Sequence, residues 1–303
     1  MAALILHHYA LSPFSEKIRR ILAYKQLPWT AVEQPLMAPK PDLIPLTGGY
    51  RRIPVLQIGA DIYCDTALIA RVIEERYPDR TVLPAALAGS LSLIEDWADH
   101  RLFFQVVPPV VVELLPALPP EFLQDRSAMT PGFSRSQLEA SAPHAETQIL
   151  QSLARLQSQL ARSAWLLGDT FTVADAACYH CLWFLQNSAR LFAEVRSRPA
   201  VYDWFSRIAA LDGDRSKAMT NAEALDLARE ARPEDTGRGV NTEPGLPAGS
   251  EIEITADDYG QETTRGRLIQ LTPERVTVVR EDSRVGEVAV HYPRAGYRLT
   301  VVG

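Results

Sequence analysis

A hydroxyl group stands where the first predicted strand passes into the first predicted helix, in the run Leu11-Ser12-Pro13-Phe14. Ser12 has two interpretations here: it caps the free N–H groups of the helix, or it donates a hydrogen bond to a bound thiolate. Lowering a thiol pKa by about two units takes about 2.7 kcal/mol. A hydrogen bond to a charged acceptor supplies roughly 1.5–3 kcal/mol, and the helix dipole supplies roughly 0.3–1 kcal/mol. A thiol-activating role for Ser12 is therefore energetically sufficient, and capping alone remains the alternative.

Two further motifs combine polar groups with an exposed backbone, and each also has a purely structural explanation. Ile53-Pro54 opens a predicted strand. A cis bond there would turn the backbone of Ile53 outward to pair with an extended peptide, whereas a trans edge-strand proline is the simpler alternative. Asp65 and Thr66 precede a predicted helix, where they either cap it or form an anion site with its amides. Neither motif identifies a ligand by itself.

The elements that must position these motifs begin with a β-α-β pattern. Residues 3–9 and 29–33 have the alternation of strands, and residues 54–64 resemble a hairpin. Residues 66–77 carry apolar side chains on one helical face. From residue 86 to residue 232 the apolar spacing is helical, so a second, all-helical region is predicted.

The composition changes again near the C-terminus. Residues 233–249 contain Pro, Gly, Asp, Glu and Thr without apolar periodicity, which predicts a linker. Beyond it, short alternating segments separated by turn residues predict a small barrel or sandwich. We therefore predict an α/β domain over 1–80, an all-helical domain over 86–232 and a small all-β, barrel-like domain over 250–303.

The order of the motifs resembles a known family more specifically than any single motif does. Ser12-Pro13-Phe14-Ser15, then Ile53-Pro54-Val55-Leu56, then Asp65-Thr66 look like the amino-terminal domain of cytosolic glutathione transferases. The Ser-Pro-Phe form is similar to the serine-type and the omega- or tau-like classes. Residues 168–175 resemble the capping box of the family's helical domain, with Thr172 as the cap and Asp175 reaching back to it. The resemblance implies a thioredoxin-like glutathione-binding domain followed by an all-α domain.

The resemblance also implies a glutathione site. Its residues would be Ser12, Phe14, Arg52, Ile53, Pro54, Asp65 and Thr66. Ser12 would activate the glutathione sulfur, and Ile53 would pair its backbone with the cysteinyl unit beside cis-Pro54. Tyr9, near the end of the first strand, is the alternative thiolate donor, as in the tyrosine-type classes. Ser12 is the preferred donor because it abuts the start of the predicted helix, and Tyr9 stays the alternative.

The two ends of glutathione would be held by different groups. Asp65 and Thr66 would hold the γ-glutamyl end, although the family more usually has Glu-Ser at this place. Arg52 would meet the glycine carboxylate as a bidentate donor, and Arg51 is its competitor for that role. The basic run Lys17, Arg19 and Arg20 is expected to be a solvated helix face.

The implied reaction is attack of the glutathione thiolate on a small electrophile, a conjugation of the detoxification type without a metal. The omega-like classes have Cys where this chain has Ser12, and the turn has no Cys-x-x-Cys, so dithiol chemistry is not expected. Glutathione-dependent peroxide reduction stays open. A different class of function also stays open: a non-catalytic scaffold or sensor that acts through protein contacts of the added β-domain.

Composition restricts the partners and the compartment. The chain of 303 residues has 31 Lys and Arg against 37 Asp and Glu, so its net charge of -6 argues against nucleic acid and anionic lipid. Three cysteines and the lack of a long apolar run favour a cytoplasmic protein. Cys178 and Cys181 have the spacing of half a zinc site but lie in an apolar helix, so no metal is expected there. The family resemblance implies a homodimer.

Overall fold

The structure is a computed structural model that describes residues 3–211, 215–234 and 245–302. Its first elements are β1 Ile5–His8, α1 Pro13–Lys25, β2 Trp29–Glu33, α2 Ile44–Thr47, β3 Val55–Ile58, β4 Asp61–Cys64 and α3 Thr66–Arg76. Strand β1 pairs in parallel with β2 and antiparallel with β3, and β3 pairs antiparallel with β4. The predicted thioredoxin-like order of elements is confirmed.

Local signals explain why α1 begins and ends where it does. The side chain of Ser12 caps its first turn by accepting the N–H of Ser15, and Pro13 occupies the position where a missing N–H costs nothing. Ile18 and Ile21 lie on the buried face. The helix ends at Gln26, which has a left-handed φ of 55°.

The second region is helical, as predicted. Its helices are α4 Ala88–Asp96, α5 Phe103–Leu114, α6 Phe122–Met129, α7 Arg135–Leu160, α8 Val173–Leu185, α9 Ala189–Arg196 and α10 Pro199–Ala209. A π-helical turn, Trp97–Leu102, joins α4 to α5. The predicted capping box is confirmed, because Thr172 donates its N–H to Asp175 Oδ2 at 2.9 Å. No helix within the described ranges is both long and apolar enough to cross a membrane.

The segment after α10 returns to the first sheet. Residues 216–232 are predicted as one exposed helix in the helical domain, but Ser216–Ala218 forms strand β5, which pairs in parallel with β2. Helix α11, Asn221–Glu230, follows, and Gln57 Nε2 donates to the carbonyl of Ala224 on it at 2.8 Å. Helical periodicity alone does not reveal that a strand partner, β2, is available to these residues.

The C-terminal strands are β6 Glu251–Ala256, β7 Thr264–Leu271, β8 Arg275–Asp282, β9 Gly286–Pro293 and β10 Tyr297–Val301. The predicted β-region is therefore confirmed, and its strand β9 pairs in parallel with β4. All described strands form one sheet in the order β10-β6-β7-β8-β9-β4-β3-β1-β2-β5. The three domain bounds stay a prediction, and residues 235–244 of the predicted linker lie outside the described residues.

Two hydrophobic cores lie on the two faces of the amino-terminal sheet. The first joins β1, α1 and α3 to the helical region through side chains that include Leu6, Ile18, Ile69, Val106 and Tyr179. The second joins β3 and β4 to the C-terminal strands through side chains that include Leu43, Val55, Ile62, Val278 and Val290. Each face is apolar, so each must be covered, and the C-terminal strands cover the second one.

A buried polar cluster holds β9 against β4. His291 Nε2 lies 2.9 Å from Asp61 Oδ1, and both side chains are fully buried. Thr277 Oγ1 lies 2.9 Å from His291 Nδ1, and the ring of Tyr63 stacks on His291 with a centroid distance of 4.3 Å. Asp61 Oδ2 accepts the N–H of Glu234 at 2.7 Å. Asp61 therefore satisfies two donors at once, the buried ring of His291 and the partly buried N–H of Glu234.

Replacing Asp61 with Asn should destabilise the junction between β4 and β9. The amide presents an NH₂ group where the carboxylate accepts, so one buried donor loses its partner, at a cost of about 1–3 kcal/mol. Urea unfolding of the whole chain measures this change. The control is Glu75→Gln, which breaks the Arg275–Glu75 ion pair between α3 and β8, with Glu75 60% exposed. That change should cost less than about 1 kcal/mol, and equal effects of the two variants would contradict a structural role for the buried cluster.

Candidate functional site

A cleft with two lobes lies where the turn after β1, the Ile53–Pro54 bond and the helical region meet. The first, here called the apolar lobe, is lined mainly by hydrocarbon from α5 and α6, including Val107, Val111 and Phe122. The second, here called the polar lobe, is lined by groups that include Asp96, Asp257 and Tyr297. Four side chains line both lobes: Phe14, Arg52, Ile53 and Tyr259.

The structure brings all seven predicted site residues to this cleft. Ser12 lines the apolar lobe, while Pro54, Asp65 and Thr66 line the polar lobe. The remaining three, Phe14, Arg52 and Ile53, lie where the lobes meet. Residues that are far apart in the chain thus share one cavity wall. Their binding roles stay a prediction.

Ser12 is held in one geometry at the amino end of α1. Its Oγ accepts the N–H of Ser15 at 3.1 Å, and its own N–H donates to the carbonyl of Tyr9 at 3.1 Å. A hydroxyl has one hydrogen and two acceptor sites, so capping leaves its hydrogen available as a donor. Capping and donation are therefore compatible.

Tyr9 also lines the apolar lobe. Burial raises the pKa of Tyr9, against the opposing effects of Arg126 and Ser12, so the phenol keeps its proton at neutral pH. A protonated phenol is a hydrogen-bond donor, as the hydroxyl of Ser12 is. The geometry of the cleft thus leaves both hydroxyls in contact with the same lobe.

The peptide bond between Ile53 and Pro54 is cis, one of the two forms that the sequence left open. Across the polar lobe, Asp65 caps α3 by accepting the N–H of Ala67 at 2.9 Å. Asp65 has a φ of 76°, a backbone conformation that residues other than glycine rarely adopt and that concentrates at functional sites. Its second oxygen accepts the hydroxyl of Tyr297 at 3.2 Å, so a C-terminal strand contacts this end of the cleft.

The two arginines before Ile53 are both engaged by carboxylates. Arg51 forms ion pairs with Asp125, at 2.7 Å, and with Glu262. Arg52 lines the cleft and pairs with both oxygens of Asp258, which lies between β6 and β7. The sequence motifs did not predict Glu262 and Asp258 as partners, because these residues lie about two hundred positions away in the chain.

A buried ion-pair network lies under the polar lobe, and it corrects the expectation for Lys17. The side chain is fully buried, and Nζ lies 2.5 Å from Asp99 and 2.8 Å from Glu95. Nζ also donates to Thr66 Oγ1 at 3.0 Å, and Asp99 Oδ1 lies 2.9 Å from His180. Lys17 is therefore not part of a solvated face, because α8 and the π-helical turn cover that side of α1.

The network fixes the charge states of its members. Burial opposes the charge on Lys17, but Asp99 and Glu95 outweigh it and raise the pKa of Lys17. Burial also disfavours the charge on Asp99, but Lys17 and His180 together lower the pKa of Asp99 to about 2. Burial lowers the pKa of His180, whose ring lies 4.8 Å from that of Phe14. The charged Lys17–Asp99 pair thus holds the neutral ring of His180, and that ring packs against Phe14.

Lys40 is a cleft residue that the motifs did not indicate. It lines the apolar lobe, is 4% exposed, and points Nζ at the carbonyl of Pro35 and the ring of Tyr9. Burial, together with the charge of Arg126, lowers the pKa of Lys40 to about 8. Within the described part of the chain no carboxylate lies at ion-pair distance from it, unlike Arg51 and Arg52. Its position between Pro39 and Pro41, outside any periodic apolar segment, gives no signal in the sequence.

Comparison with known proteins agrees with this arrangement. The family model for the glutathione S-transferase N-terminal domain matches residues 6–81, and the model for the C-terminal domain matches residues 112–212. Glutathione S-transferase 3 of Zea mays is 30% identical over 219 residues, which cover 69% of this chain and 90% of the maize protein. This chain belongs to the glutathione S-transferase family.

The solved structures of other glutathione transferases extend the comparison to the C-terminal strands. A GST-like protein from Pseudomonas syringae is 34% identical, with a TM-score of 0.81 and full coverage of both chains. A glutathione S-transferase from Rhodospirillum rubrum F11, 22% identical, covers 68% of this chain and 88% of its own, with a TM-score of 0.55. The second likeness shows the shared fold, and only the first spans the whole sheet.

The three cysteines of this chain line neither lobe of the cleft. Cys64, Cys178 and Cys181 are buried, and burial raises the pKa of each thiol. Cys178 and Cys181 sit inside α8, as core residues. Among the residues that the structure describes, no three or more His, Cys, Asp or Glu side chains are grouped to hold a metal ion.

Replacing Lys17 with Met should strongly destabilise the protein. The substitution leaves Asp99 and Glu95 buried without their cation, which typically costs about 3–5 kcal/mol. Denaturant unfolding measures the loss. The matched variant is the double change Lys17→Met with Asp99→Asn, which removes one uncompensated charge and should recover part of the stability. A loss of stability in the double variant equal to the sum of the losses in Lys17→Met and in Asp99→Asn alone would contradict an electrostatic coupling between the two residues.

Proposed function

We propose that this chain is an enzyme that activates the thiol of glutathione for attack on a small electrophile. The observation that carries the proposal is the hydroxyl of Ser12, fixed at the amino end of α1 by a cap that does not use its hydrogen, on the wall of the cleft that also holds Ile53 and cis-Pro54. The family and the curated maize relative, named as a glutathione S-transferase, support the same activity.

The thiol would lose its proton because the site favours the sulfur anion. Ser12 donates one charge-assisted hydrogen bond, worth roughly 1.5–3 kcal/mol, and the exposed N–H groups of α1 add the helix dipole. The resulting thiolate is the nucleophile, and it attacks an electrophile held by hydrocarbon in the apolar lobe. The apolar wall, which includes Val107 and Phe122, favours a largely hydrophobic electrophile.

The rest of glutathione would extend across the two lobes. The backbone of Ile53, beside Pro54, pairs with the cysteinyl unit, and Asp65 and Thr66 hold the γ-glutamyl end. Phe14, supported by His180, packs against the peptide. For the glycine carboxylate two cations compete: Arg52, which already has a carboxylate partner, and Lys40, for which no such partner is described.

Removal of the Ser12 hydroxyl should raise the pKa of bound glutathione. We expect a rise of about one to two units in Ser12→Ala, since one hydrogen bond to a charged acceptor is lost. The pKa is measured from the ultraviolet absorbance of the bound thiolate as a function of pH. Thiolate-dependent turnover at neutral pH should fall in parallel.

Two matched variants separate the roles of Ser12. Ser12→Thr keeps both the helix cap and the donor, so it should retain most of the shift, whereas Ser12→Ala also loses a cap worth about 1 kcal/mol. Tyr9→Phe removes the alternative donor. A normal thiolate pKa in Ser12→Ala together with a raised one in Tyr9→Phe would transfer the role to Tyr9.

Two further parts of the proposal depend on separate measurements. Retention on immobilised glutathione distinguishes the enzyme from a non-catalytic scaffold or sensor, for which we expect no retention. Turnover with an organic hydroperoxide distinguishes peroxide reduction from conjugation.

We also propose a homodimer, as is typical of the family, and light scattering at micromolar concentration should give twice the chain mass.

A further inference from the structure

The loop between β6 and β7, residues 257–263, belongs to the C-terminal strands but forms part of the cleft. Gly260 donates its N–H to the carbonyl of Met129, at the end of α6, at 2.7 Å. The next strand is anchored by Thr264 Oγ1, which donates to the carbonyl of Thr47 at 2.8 Å. Gly49 has a φ of 152° and no room for a Cβ, because the carbonyl of Thr263 lies against it. The loop is thus held at its centre against the helical region and at its end against the amino-terminal region.

Inside the cleft this loop engages Arg52. Both oxygens of Asp258 contact the guanidinium, and the ring of Tyr259 lies 3.8 Å from its central carbon. The side chain of Arg52 is 11% exposed and that of Asp258 is 27% exposed. The far edge of Tyr259 packs against Phe104, with ring centroids 5.4 Å apart. A planar guanidinium is therefore held on its edge by a carboxylate and on its face by an aromatic ring.

The loop lies at the boundary between the two lobes, so a ligand that occupies both lobes contacts it. Arg52, Ile53 and Tyr259 line both lobes, whereas Ser12 lines only the apolar lobe and Asp65 only the polar lobe. A tripeptide that spans from Asp65 to Ser12 therefore passes the Arg52–Tyr259 pair. Its glycine carboxylate, if directed to Arg52, meets a cation that Asp258 already neutralises.

The neighbouring arginine offers no free charge either. Arg51 is paired with Asp125 and Glu262, so the two arginines face three carboxylates. A further carboxylate that enters here must displace an internal one or accept repulsion from it. A ligand whose end at this place is uncharged is not repelled by these carboxylates and does not have to displace one.

We propose that Asp258 is a specificity-determining residue that competes with the ligand's glycine carboxylate for Arg52. As a result, the thiol site discriminates less between glutathione and derivatives with an uncharged glycine end, such as an ester or amide, than a site with a free Arg52 would. This inference rests on the proposed function, since it assumes that a glutathione-like thiol occupies the cleft. Tyr259 acts with Asp258 as a positioning residue that keeps the guanidinium in place.

The test measures binding of two thiols by calorimetry to the full-length wild type and to Asp258→Asn. The thiols are glutathione and its glycine ethyl ester, which differ only in the charge of that end. Asp258→Asn should bind glutathione about fivefold more tightly, as expected when a partly exposed competitor for a bidentate arginine is removed. Its affinity for the ester should change less than about twofold.

The matched control is Asp257→Asn. Asp257 lies next in the same loop and lines the polar lobe, but among the described residues its carboxylate forms no ion pair with Arg52. It removes the same charge, so a general field effect would act equally in both variants, whereas competition for Arg52 appears only in Asp258→Asn. Circular dichroism of each variant verifies that the fold is kept.

The possible outcomes are separable. A selective gain for glutathione in Asp258→Asn supports the inference. Equal gains for both thiols, equal effects of the two variants, or a loss of glutathione affinity would overturn it while leaving the proposed function intact. Absence of binding for both thiols in all three proteins would contradict the proposed function and this inference with it.

Discussion

The buried ammonium group of Lys17 needs anionic and hydrogen-bonding partners, and this requirement organises the site. Thr66 at the start of α3, Glu95 in α4 and Asp99 in the π-helical turn all converge on Nζ, so α1, α3 and the helical region must meet at one place. Asp99 also holds His180, against which Phe14 packs. Both lobes of the cleft therefore depend on an ion pair that lies beneath them.

The C-terminal strands are a structural part of this family member and of its cleft. Strand β9 extends the amino-terminal sheet by pairing with β4, and the Asp61–His291 cluster makes this contact specific, because a slipped register would leave buried donors unpaired. From the same layer, Asp258 reaches Arg52 and Tyr297 reaches Asp65. Two of the predicted ligand-binding side chains thus have partners that an ordinary two-domain transferase would lack.

The parts of the fold that the sequence predicted well are those determined by neighbouring residues. Ser12 and Pro13 mark the start of α1 because capping depends on N–H groups within one turn. Thr172 and Asp175 form a capping box for the same reason. The alternation of the C-terminal strands also depends on adjacent positions, and all of those strands lie within the predicted range 250–303. Residues 216–218 were missed because a strand of this length exists only through its pairing with β2.

By itself, the sequence determined the order of elements apart from β5, the family and the set of residues that line the cleft, since motif spacing and periodicity carry that information. Only the tertiary structure decided which partner each charge has. Lys17 became buried, Lys40 was left as a cation in the apolar lobe, and Arg52 received Asp258 as its partner. The physical reason is that the free energy of a charge depends on burial and on groups within a few ångströms, and packing brings those groups together from distant parts of the chain.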